Sequence, residues 1–431
     1  MNKKVLIIAY YWPPSGGSGV QRWLKFVKYL PQFGWEPYVF TPENPSFAMR
    51  DESLLNDVPN EAEVIRFPIW EPYESFFKVA GIFNKKKTDG QTDIISTRKN
   101  SLFQQIATFV RANFFVPDPR VFWVRPSVKF LNDFLKDNEI RTIITTGPPH
   151  SVHLIGLKLK KKNPGLQWLA DFRDPWSEWG FLDSLKVSEF ARNIHRKLES
   201  DVLARADKVI TITPFYVRRF ESLSKRKVHL LTNGYDEDDF KLLELAPTEK
   251  FTIRHVGIIN EKCDPRAFMS AIEKLVQTNS EFKSNLHIDF VGEVHGEFKK
   301  FVLASSLLSG VTTFTSSVPH KELIKLYGKS SLLLLLLTGY KDAEGYMPGK
   351  LFEYIATTLP VLGTGPSNGD AANLLREAGA GDMVEGADEG KIQRKVLEHF
   401  SAWKKGELKT SKPDASKYSR KNITKELIAL F

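Results

Sequence analysis

The sequence predicts an α/β protein built from two doubly wound parallel-sheet domains. Short apolar segments alternate with amphipathic segments of helical period along nearly the whole chain, which is the pattern of consecutive βαβ units. A chain of 431 residues is too long for one ordinary core, and its 42% hydrophobic residues are enough to fill two. We place the join near residue 240, in the turn and acidic stretch 233–240. The predicted domains are 1–240 and 241–415, and we expect the helical segment 416–431 to pack back on the first.

Strands are predicted where short apolar runs end in turn residues. The run at 5–10 is too short for a secretory signal, and Trp12 and two prolines follow it at once. The run at 331–337 contains six consecutive leucines, which is typical of a central parallel strand buried on both faces. The predicted strands are 5–10, 37–41, 63–67, 143–146, 167–172, 208–213 and 228–231 in the first domain, and 252–256, 287–291, 312–314, 331–337 and 360–362 in the second.

Helices are predicted where apolar residues recur at helical spacing. The segment 20–30 shows the pattern well, because Trp23 and Phe26 share one stripe. Two further helices are predicted at 150–162 and 187–206.

Composition narrows the class of partner. The formal net charge is +10 and the isoelectric point about 9.3, which favours polyanions, anionic lipid or phosphorylated small molecules. The sequence contains neither an arginine-rich arm nor a zinc-binding pattern, which argues against nucleic acid. Cys263 is the single cysteine, so no internal disulfide forms and a reducing compartment is expected. The longest apolar runs are far below the roughly 18–20 residues of a membrane span. We therefore expect a cytoplasmic protein that also attaches peripherally to the inner face of the plasma membrane.

The segment 68–125 interrupts the alternation of strands and helices. Aromatic residues interleave there with basic ones, as in the lysine run 85–87 and the pair Phe122 and Trp123. One interpretation is that additional helices pack on the core. The other is an interfacial surface whose aromatic side chains enter the headgroup region of a membrane while lysines meet anionic lipid.

The segment 346–363 contains the strongest functional signal. Lys350 and Glu353 lie three residues apart at the start of a predicted helix, so they share one face. Helix N-termini favour anions, which suits a nucleotide sugar: the cation would bind the diphosphate and the carboxylate a ribose diol. The alternative is an exposed ion pair of little energetic value.

Two glycine-containing loops follow predicted strands, one in each domain. Gly16 and Gly17 lie between the first strand and its helix, where glycine lets the backbone approach a phosphate or sugar closely. The spacing matches neither a dinucleotide fingerprint nor a Walker loop, and a plain turn is the alternative. In the second domain, Gly257 again permits close approach and Lys262 is within reach of a phosphate.

Two polar segments follow neighbouring strands of the first domain. His150 begins the helix after one strand and is interpreted either as a sugar-binding or as a helix-capping residue. Asp171, Arg173 and Asp174 follow the next strand, and charges at a strand end must pair or face a cleft. An Asp–Arg brace and contact with an acceptor substrate both remain open.

These segments together resemble the family-four retaining glycosyltransferases of the GT-B architecture, and the resemblance extends over nearly the whole chain. It rests on the Tyr-Trp-Pro-Pro run at 11–14 followed by two glycines, the turn at 146–151, the run at 171–176, the Asn-Gly-Tyr-Asp at 233–236, and the Pro-Gly-Lys-Leu-Phe-Glu-Tyr at 348–354. The resemblance implies two Rossmann-like domains that face each other across a cleft. It also implies sugar transfer from a nucleotide-diphosphate sugar, with retention, without metal ion and without a cofactor.

The resemblance also implies roles for single residues on the donor side. Glu353 matches the glutamate that binds the donor ribose. The family's second glutamate would fall at Gly345, so either Glu344 beside it or the backbone amides at 345–347 are expected to contact the transferred sugar. Lys262 and Lys350 would bind the diphosphate together with Gly257. Gly16 and Gly17 would lie against the same phosphates.

For the first domain, the resemblance matches His150 to a histidine near the transferred sugar. We expect His150, Asp171 and Glu344 to form the catalytic set and Arg173 and Asp174 to lie on the acceptor side. The expected acceptor is lipid-linked or a polysaccharide precursor. A sugar-nucleotide epimerase of the same architecture and a non-catalytic nucleotide-sugar-binding subunit are the alternatives.

Overall fold

The computed structural model describes residues 3–45, 50–71, 102–178, 182, 185–241, 243–337, 339, 342–408 and 415–431. The chain forms two compact units: the first is Met1–Thr232 with Ile423–Phe431, and the second is Asn233–Asn422. The boundary therefore follows Thr232 and precedes the predicted residue 240. Tyr235 explains the difference, because its backbone pairs with Ser419 and its ring packs in the core of the second unit.

The first unit contains a seven-stranded parallel sheet in the order β3-β2-β1-β4-β5-β6-β7. This order reverses direction between β1 and β4, as in a doubly wound fold. Its elements are β1 (Lys4–Ile8), α1 (Ser18–Tyr29), β2 (Glu36–Pro42), β3 (Glu63–Phe67), α2 (Leu102–Phe114), α3 (Val121–Asp137), β4 (Thr142–Gly147), α4 (Ser151–Lys162), β5 (Gln167–Phe172), α5 (Glu189–Arg205), β6 (Lys208–Thr211), α6 (Pro214–Ser224) and β7 (Val228–Leu230).

The second unit contains a six-stranded parallel sheet in the order β10-β9-β8-β11-β12-β13, with the reversal between β8 and β11. Its elements are α7 (Glu237–Phe240), β8 (Phe251–Val256), α8 (Arg266–Thr278), α9 (Ser280–Asn285), β9 (Leu286–Val291), α10 (Gly296–Ala304), α11 (Ser306–Ser309), β10 (Thr312–Thr315), α12 (His320–Gly328), β11 (Leu332–Leu336), α13 (Gly349–Ala356), β12 (Val361–Thr364), α14 (Asp370–Glu377), β13 (Gly381–Val384), α15 (Glu389–Lys404) and α16 (Arg420–Ile428).

Both sheets are covered on both faces. In β11, Leu334 faces one hydrophobic cluster of the second unit and Leu335 the other, and neither side chain is exposed. Burying a leucine fully stabilises the fold by about 1.5–3 kcal/mol. The leucine run is therefore the two-sided central strand that the sequence predicts.

The end of α16 belongs to the first unit. Ile423 and Leu427 are buried in one of its cores, and the ring of Phe431 lies 4.5 Å from that of Trp35. Gln167 also donates a hydrogen bond from Nε2 to the carbonyl of Leu430 at 3.1 Å. The last nine residues of the chain thus complete the first unit, while the residues before Ile423 belong to the second.

The predicted insertion divides into parts of different character. Helix α3 packs on the core, where Trp123 is 1% exposed and stacks on Phe40 at 5.0 Å. Phe114 and Phe122, by contrast, are exposed. The aromatic and basic residues between 72 and 101, including the lysine run, lie outside the described residues.

Two kinds of feature are absent from the described parts of the chain. No helix among them has the length and apolar character needed to cross a membrane. They also contain no group of three or more His, Cys, Asp or Glu side chains placed to bind a metal ion.

Candidate functional site

Ligands of doubly wound sheets bind beyond the carboxyl ends of the strands, at the point where the strand order reverses. In the second unit this point lies at the end of β8, where Gly257 has φ +126°. A Cβ added to Gly292, at the end of the neighbouring β9, would lie 2.6 Å from the carbonyl oxygen of Gly257. Glycine at 292 is therefore needed for the close approach of these two loops.

Lys350 reaches this strand end from the first turn of α13. Its Nζ donates a hydrogen bond to the carbonyl of Val256 at 2.7 Å. A Cβ added to Gly257 would lie 2.5 Å from the same Nζ, so glycine there makes room for the ammonium group. Burial lowers the pKa of Lys350 to about 8, although Cys263 and Glu353 favour its charged form. An ammonium group has three donors, and the carbonyl of Val256 takes one.

Glu353 lies one turn further along α13 and is held by two donors from α12. Tyr327 donates its hydroxyl proton to Oε2 at 2.8 Å, and Nε2 of His320 lies 3.1 Å from Oε1. Burial favours the neutral carboxyl, but the bonds from His320 and Tyr327 outweigh it and lower the pKa of Glu353. Each carboxylate oxygen has two acceptor positions, so each can also accept a hydroxyl proton from a ligand.

Lys350 and Glu353 therefore do not form the exposed ion pair that was the alternative interpretation. Lys350 bonds to a strand-end carbonyl, and Glu353 bonds to another helix. The amine and the carboxylate lie together at one helix start, each fixed by its own partners.

Lys262 and Glu344 lie on loops around the same sheet edge. Lys262 is exposed, and its carbonyl accepts a hydrogen bond from the amide of Gly339 at 2.9 Å. Glu344 is exposed in the short turn Ala343–Gly345, and a Cβ added to Gly369 would lie 2.9 Å from its carbonyl oxygen. The sugar-binding role expected for Glu344 and the phosphate-binding role expected for Lys262 stay predictions.

Asp171 of the first unit is bonded to α1 and β4. Its carboxylate accepts hydrogen bonds from Arg22 at 3.0 and 3.2 Å, from Trp23 Nε1 at 2.7 Å and from the Thr146 hydroxyl at 2.9 Å. Burial raises its pKa, but the charge and hydrogen bonds of Arg22, with the bond from Trp23, outweigh burial and lower the pKa. Asp171 thus has the surroundings of a buried structural ion pair, and its predicted catalytic role stays a prediction.

Arg173 does not form the brace with Asp171 that the sequence left open. Its guanidinium donates instead to three carbonyls, those of Gly19 at 2.9 Å, Gly147 at 3.1 Å and Pro148 at 2.6 Å. Burial lowers its pKa. Arg173 therefore ties the loop after β1 to the loop after β4.

The predicted glycine loop and Asp174 lie at the same edge of the first sheet. Gly17 has φ +94° and directly precedes α1, while Gly16 is half-buried beside it. A Cβ added to Gly19 would lie 2.8 Å from Nη1 of Arg173. Asp174 is half-buried next to Arg173, whose charged form it favours.

His150 is 6% exposed, and among the described residues its ring nitrogens have only the backbone of Pro175 as a weak hydrogen-bond partner. The ring stacks on Trp176 at 4.8 Å with an interplanar angle of 4°. Burial, followed by the charges of His153 and Arg173, keeps the pKa of His150 well below its usual value. It is therefore a neutral imidazole at a strand end, and one of its ring nitrogens has no hydrogen-bond partner among the described residues. It does not cap α4, since Asp118 accepts the bond from the Ser151 amide at 2.8 Å.

His153 is bonded inside the first unit. Its Nδ1 lies 2.9 Å from the Thr145 hydroxyl, and burial lowers its pKa to about 3. The Thr145 oxygen accepts a hydrogen bond from Trp168 Nε1 at 2.9 Å. The contacts of His153 are therefore those of a buried structural side chain.

Several residues important to these sites were not identified from the sequence. His320 and Tyr327 hold Glu353, and Arg22 neutralises Asp171. Of these three residues, only Arg22 belongs to a pattern visible in the sequence, because it lies four residues before Phe26 at the edge of the apolar stripe of α1.

Comparison with known proteins identifies the fold. No protein-family model matches the chain. No curated protein matches it either. Among solved structures, a glycosyltransferase from Rickettsia africae ESF-5 superposes with a TM-score of 0.66 at 14% identity, over 100% of this chain and 97% of that one. The chain has the GT-B fold.

Two further solved structures bear on the same comparison. WaaG, a glycosyltransferase involved in lipopolysaccharide biosynthesis, superposes with a TM-score of 0.57 at 15% identity, over 98% of each chain. A putative UDP-N-acetylglucosamine 2-epimerase from Listeria monocytogenes gives 0.55 at 11% identity, over 100% of this chain and 95% of that one. The predicted GT-B fold class is confirmed, and both predicted reaction classes occur on it.

Proposed function

We propose that this protein is a glycosyltransferase that moves a sugar from a nucleotide-diphosphate sugar to a lipid-linked or polysaccharide-precursor acceptor. One observation carries the proposal: Lys350 and Glu353 lie together at the start of α13, beside the reversal point of the second sheet. A diphosphate suits the ammonium group, and a ribose diol suits a carboxylate whose oxygens are oriented but not saturated.

The reaction requires stabilisation of the charge that grows on the departing nucleoside diphosphate. Lys350 is positioned for this by its bond to the Val256 carbonyl, and Lys262 is a second cation on a nearby loop. Fixed cations and amides can stabilise such a leaving group. We therefore propose transfer without a metal ion, and the family resemblance supports retention at the anomeric carbon. In the first unit we propose His150 as the group that binds the transferred sugar, because one of its buried ring nitrogens has no hydrogen-bond partner among the described residues.

Isothermal titration with a panel of nucleoside diphosphates tests the proposal. We expect one of them to bind and Glu353→Ala to weaken that binding at least about 100-fold, because two hydrogen bonds to a charged group are lost. Glu322→Ala is the matched control, since Glu322 forms a surface pair with Lys325 at 2.8 Å and should leave binding unchanged. If no nucleoside diphosphate binds, the proposal is wrong.

The epimerase alternative is distinguished by omitting the acceptor. A transferase incubated with its nucleotide sugar alone leaves the sugar configuration intact, whereas an epimerase converts it, as nuclear magnetic resonance would show. Bound nucleotide with neither conversion nor transfer to a range of acceptors would favour the non-catalytic subunit.

We also propose that the first unit attaches to an anionic lipid surface. Phe122 is 42% exposed and Phe130 37% exposed on α3, and the exposed side chains of Arg125 and Lys129 lie between them on the same helix. Trp70 is 60% exposed and packs against Phe122 at 5.0 Å. Aromatic and basic side chains side by side favour the headgroup region of an anionic bilayer.

Flotation with vesicles tests this attachment. Vesicles containing phosphatidylglycerol should carry the protein upward and purely zwitterionic ones should not. Combining Trp70→Ser with Phe122→Ser should abolish flotation, while Phe190→Ser, at another exposed position of the first unit, serves as the matched control. Protein that remains in solution with anionic vesicles would contradict the proposal.

A further inference from the structure

His320 faces two carboxylates that come from different parts of the second unit. Its Nε2 lies 3.1 Å from Oε1 of Glu353, and its Nδ1 lies 3.6 Å from Oδ2 of Asp239. The three side chains are only 27%, 23% and 16% exposed, respectively. The contact with Glu353 is within hydrogen-bond distance, whereas the contact with Asp239 is longer and electrostatic.

Asp239 connects this contact to the segment that joins the two units. It lies in α7, which begins shortly after the boundary between Thr232 and Asn233. Helix α7 is anchored at its start, because Asp236 accepts a hydrogen bond from the Asp238 amide at 3.2 Å. A displacement of this joining segment would therefore change the distance between Asp239 and His320.

The chain passes between the units a second time between Asn422 and Ile423, and the residues just before this second joining segment pair with Tyr235 of the first. The amide of Tyr235 donates to the carbonyl of Tyr418 at 3.1 Å, and the amide of Arg420 donates to the carbonyl of Tyr235 at 2.8 Å. Arg420 is 5% exposed, and its charge helps to lower the pKa of Glu353. Each joining segment thus carries a charged residue near the site. Asp239 lies beside His320, and the charge of Arg420 acts on Glu353.

We propose that His320 is a positioning residue that couples the donor-binding carboxylate of Glu353, through Asp239, to the segment joining the two units. The inference rests on the proposed function, because it takes Glu353 as the group that accepts the ribose hydroxyls. His320 holds Oε1 of Glu353 in the orientation that a diol needs, and Asp239 holds His320. Binding of the donor ribose and the position of the joining segment are therefore linked, and linkage of this kind is reciprocal.

A double-mutant cycle tests the coupling. The probes are uridine and guanosine diphosphate, of which the one that binds the wild-type protein is used, and its 2′,3′-dideoxy form. We expect Asp239→Asn to weaken binding of the diphosphate roughly 3- to 10-fold, as for contacting residues that share a partner. The same substitution should not affect the dideoxy form, which has no hydroxyls for Glu353.

The second arm removes the coupling residue. In the His320→Phe background, Asp239→Asn should cause no further loss of affinity. His320→Gln, which keeps one donor for Glu353, is the second background in case the first does not fold. Asp238→Asn is the matched control in α7, because Asp238 pairs with Lys241 at 2.7 Å and should leave affinity unchanged.

The outcomes separate this inference from the proposed function. If the wild-type protein binds neither nucleotide, another nucleoside diphosphate that binds replaces them as the probe; if none binds, the proposed function fails and the coupling fails with it. If one binds, three results would each overturn the coupling alone. The first is an Asp239→Asn effect on affinity below twofold, and the second is an equal effect on affinity for the dideoxy form. The third is a loss of affinity on Asp239→Asn that is undiminished in both His320 backgrounds.

Discussion

The hydroxyl of Tyr327 donates a hydrogen bond to Oε2 of Glu353 at 2.8 Å, and the Tyr327 side chain is fully buried. Its ring packs edge-on against Tyr354 at 5.6 Å, so the hydroxyl cannot move away without disturbing the core. The orientation of the proposed ribose-binding carboxylate is thus fixed by a fully buried side chain.

Tyr327→Phe should weaken nucleotide binding while leaving the fold intact. The ring keeps its packing, and only one hydrogen bond to a carboxylate is lost, which corresponds to about a 10-fold loss of affinity. Calorimetric titration of the variant measures it, and thermal unfolding serves as the control. Unchanged affinity would mean that His320 alone is sufficient to orient Glu353.

The ion pair between Arg22 and Asp171 should dominate the stability of the first unit. Both side chains have no exposure, and Arg22 also donates to the carbonyls of Leu231 and Thr232 at 2.8 Å. Arg22→Met leaves a buried carboxylate without its cation and should lower the free energy of unfolding by about 3–5 kcal/mol. Urea unfolding measures the change.

Arg196→Met is the control for this prediction, because Arg196 is 53% exposed and should change stability by less than about 0.5 kcal/mol. Asp171→Asn adds a test of function. If Asp171 is only structural, activity of the folded fraction should persist. Loss of activity at full stability would restore its predicted catalytic role.

Most of the fold could be predicted because its signals are local. The leucine run of β11 and the stripe of α1 show burial directly in the order of residues. Strand β13 was not predicted, because only Met383 and Val384 of its four residues are buried and so short a run has no readable period. The sequence predicts the boundary near residue 240 because an acidic segment is typical of a linker, whereas the pairing of Tyr235 with Ser419 joins residues far apart in the chain and has no local signal.

Only those parts of the candidate site whose residues lie close together in the sequence could be predicted. Lys350 and Glu353 belong to one helix start, so their spacing placed them together. Their partners are distant in sequence: the bond from Lys350 to Val256 spans 94 positions and that from Tyr327 to Glu353 spans 26. A single sequence does not show which donor will contact a given carboxylate. It therefore suggests a pair between Asp171 and the nearby Arg173, and not one with Arg22.

Nucleotide binding should depend on pH through Lys350. Its pKa is lowered by burial to about 8, so the ammonium form that attracts a diphosphate is complete well below pH 8 and is lost as the pH rises through that value. Affinity measured by titration between pH 6.5 and 9.5 should therefore fall at the alkaline end. Lys350→Met should bind weakly at every pH, without this alkaline fall. If the affinity of the wild-type protein does not change over this pH range, Lys350 is excluded as the titrating cation.

Gly257→Ala should weaken nucleotide binding and also destabilise the fold. The new methyl group would lie 2.5 Å from Nζ of Lys350, at a backbone φ of +126° that residues with a side chain rarely adopt. The amine can move aside because it ends a flexible chain, but it then loses its bond to Val256 and its place beside the strand end. We expect a loss of affinity of about 10-fold and, from the backbone strain, a stability loss of about 1–3 kcal/mol. Gly296→Ala is the matched control, because no atom lies within 4 Å of the added Cβ. Equal affinities of the two variants would show that the position of Lys350 beside Gly257 does not matter for the ligand.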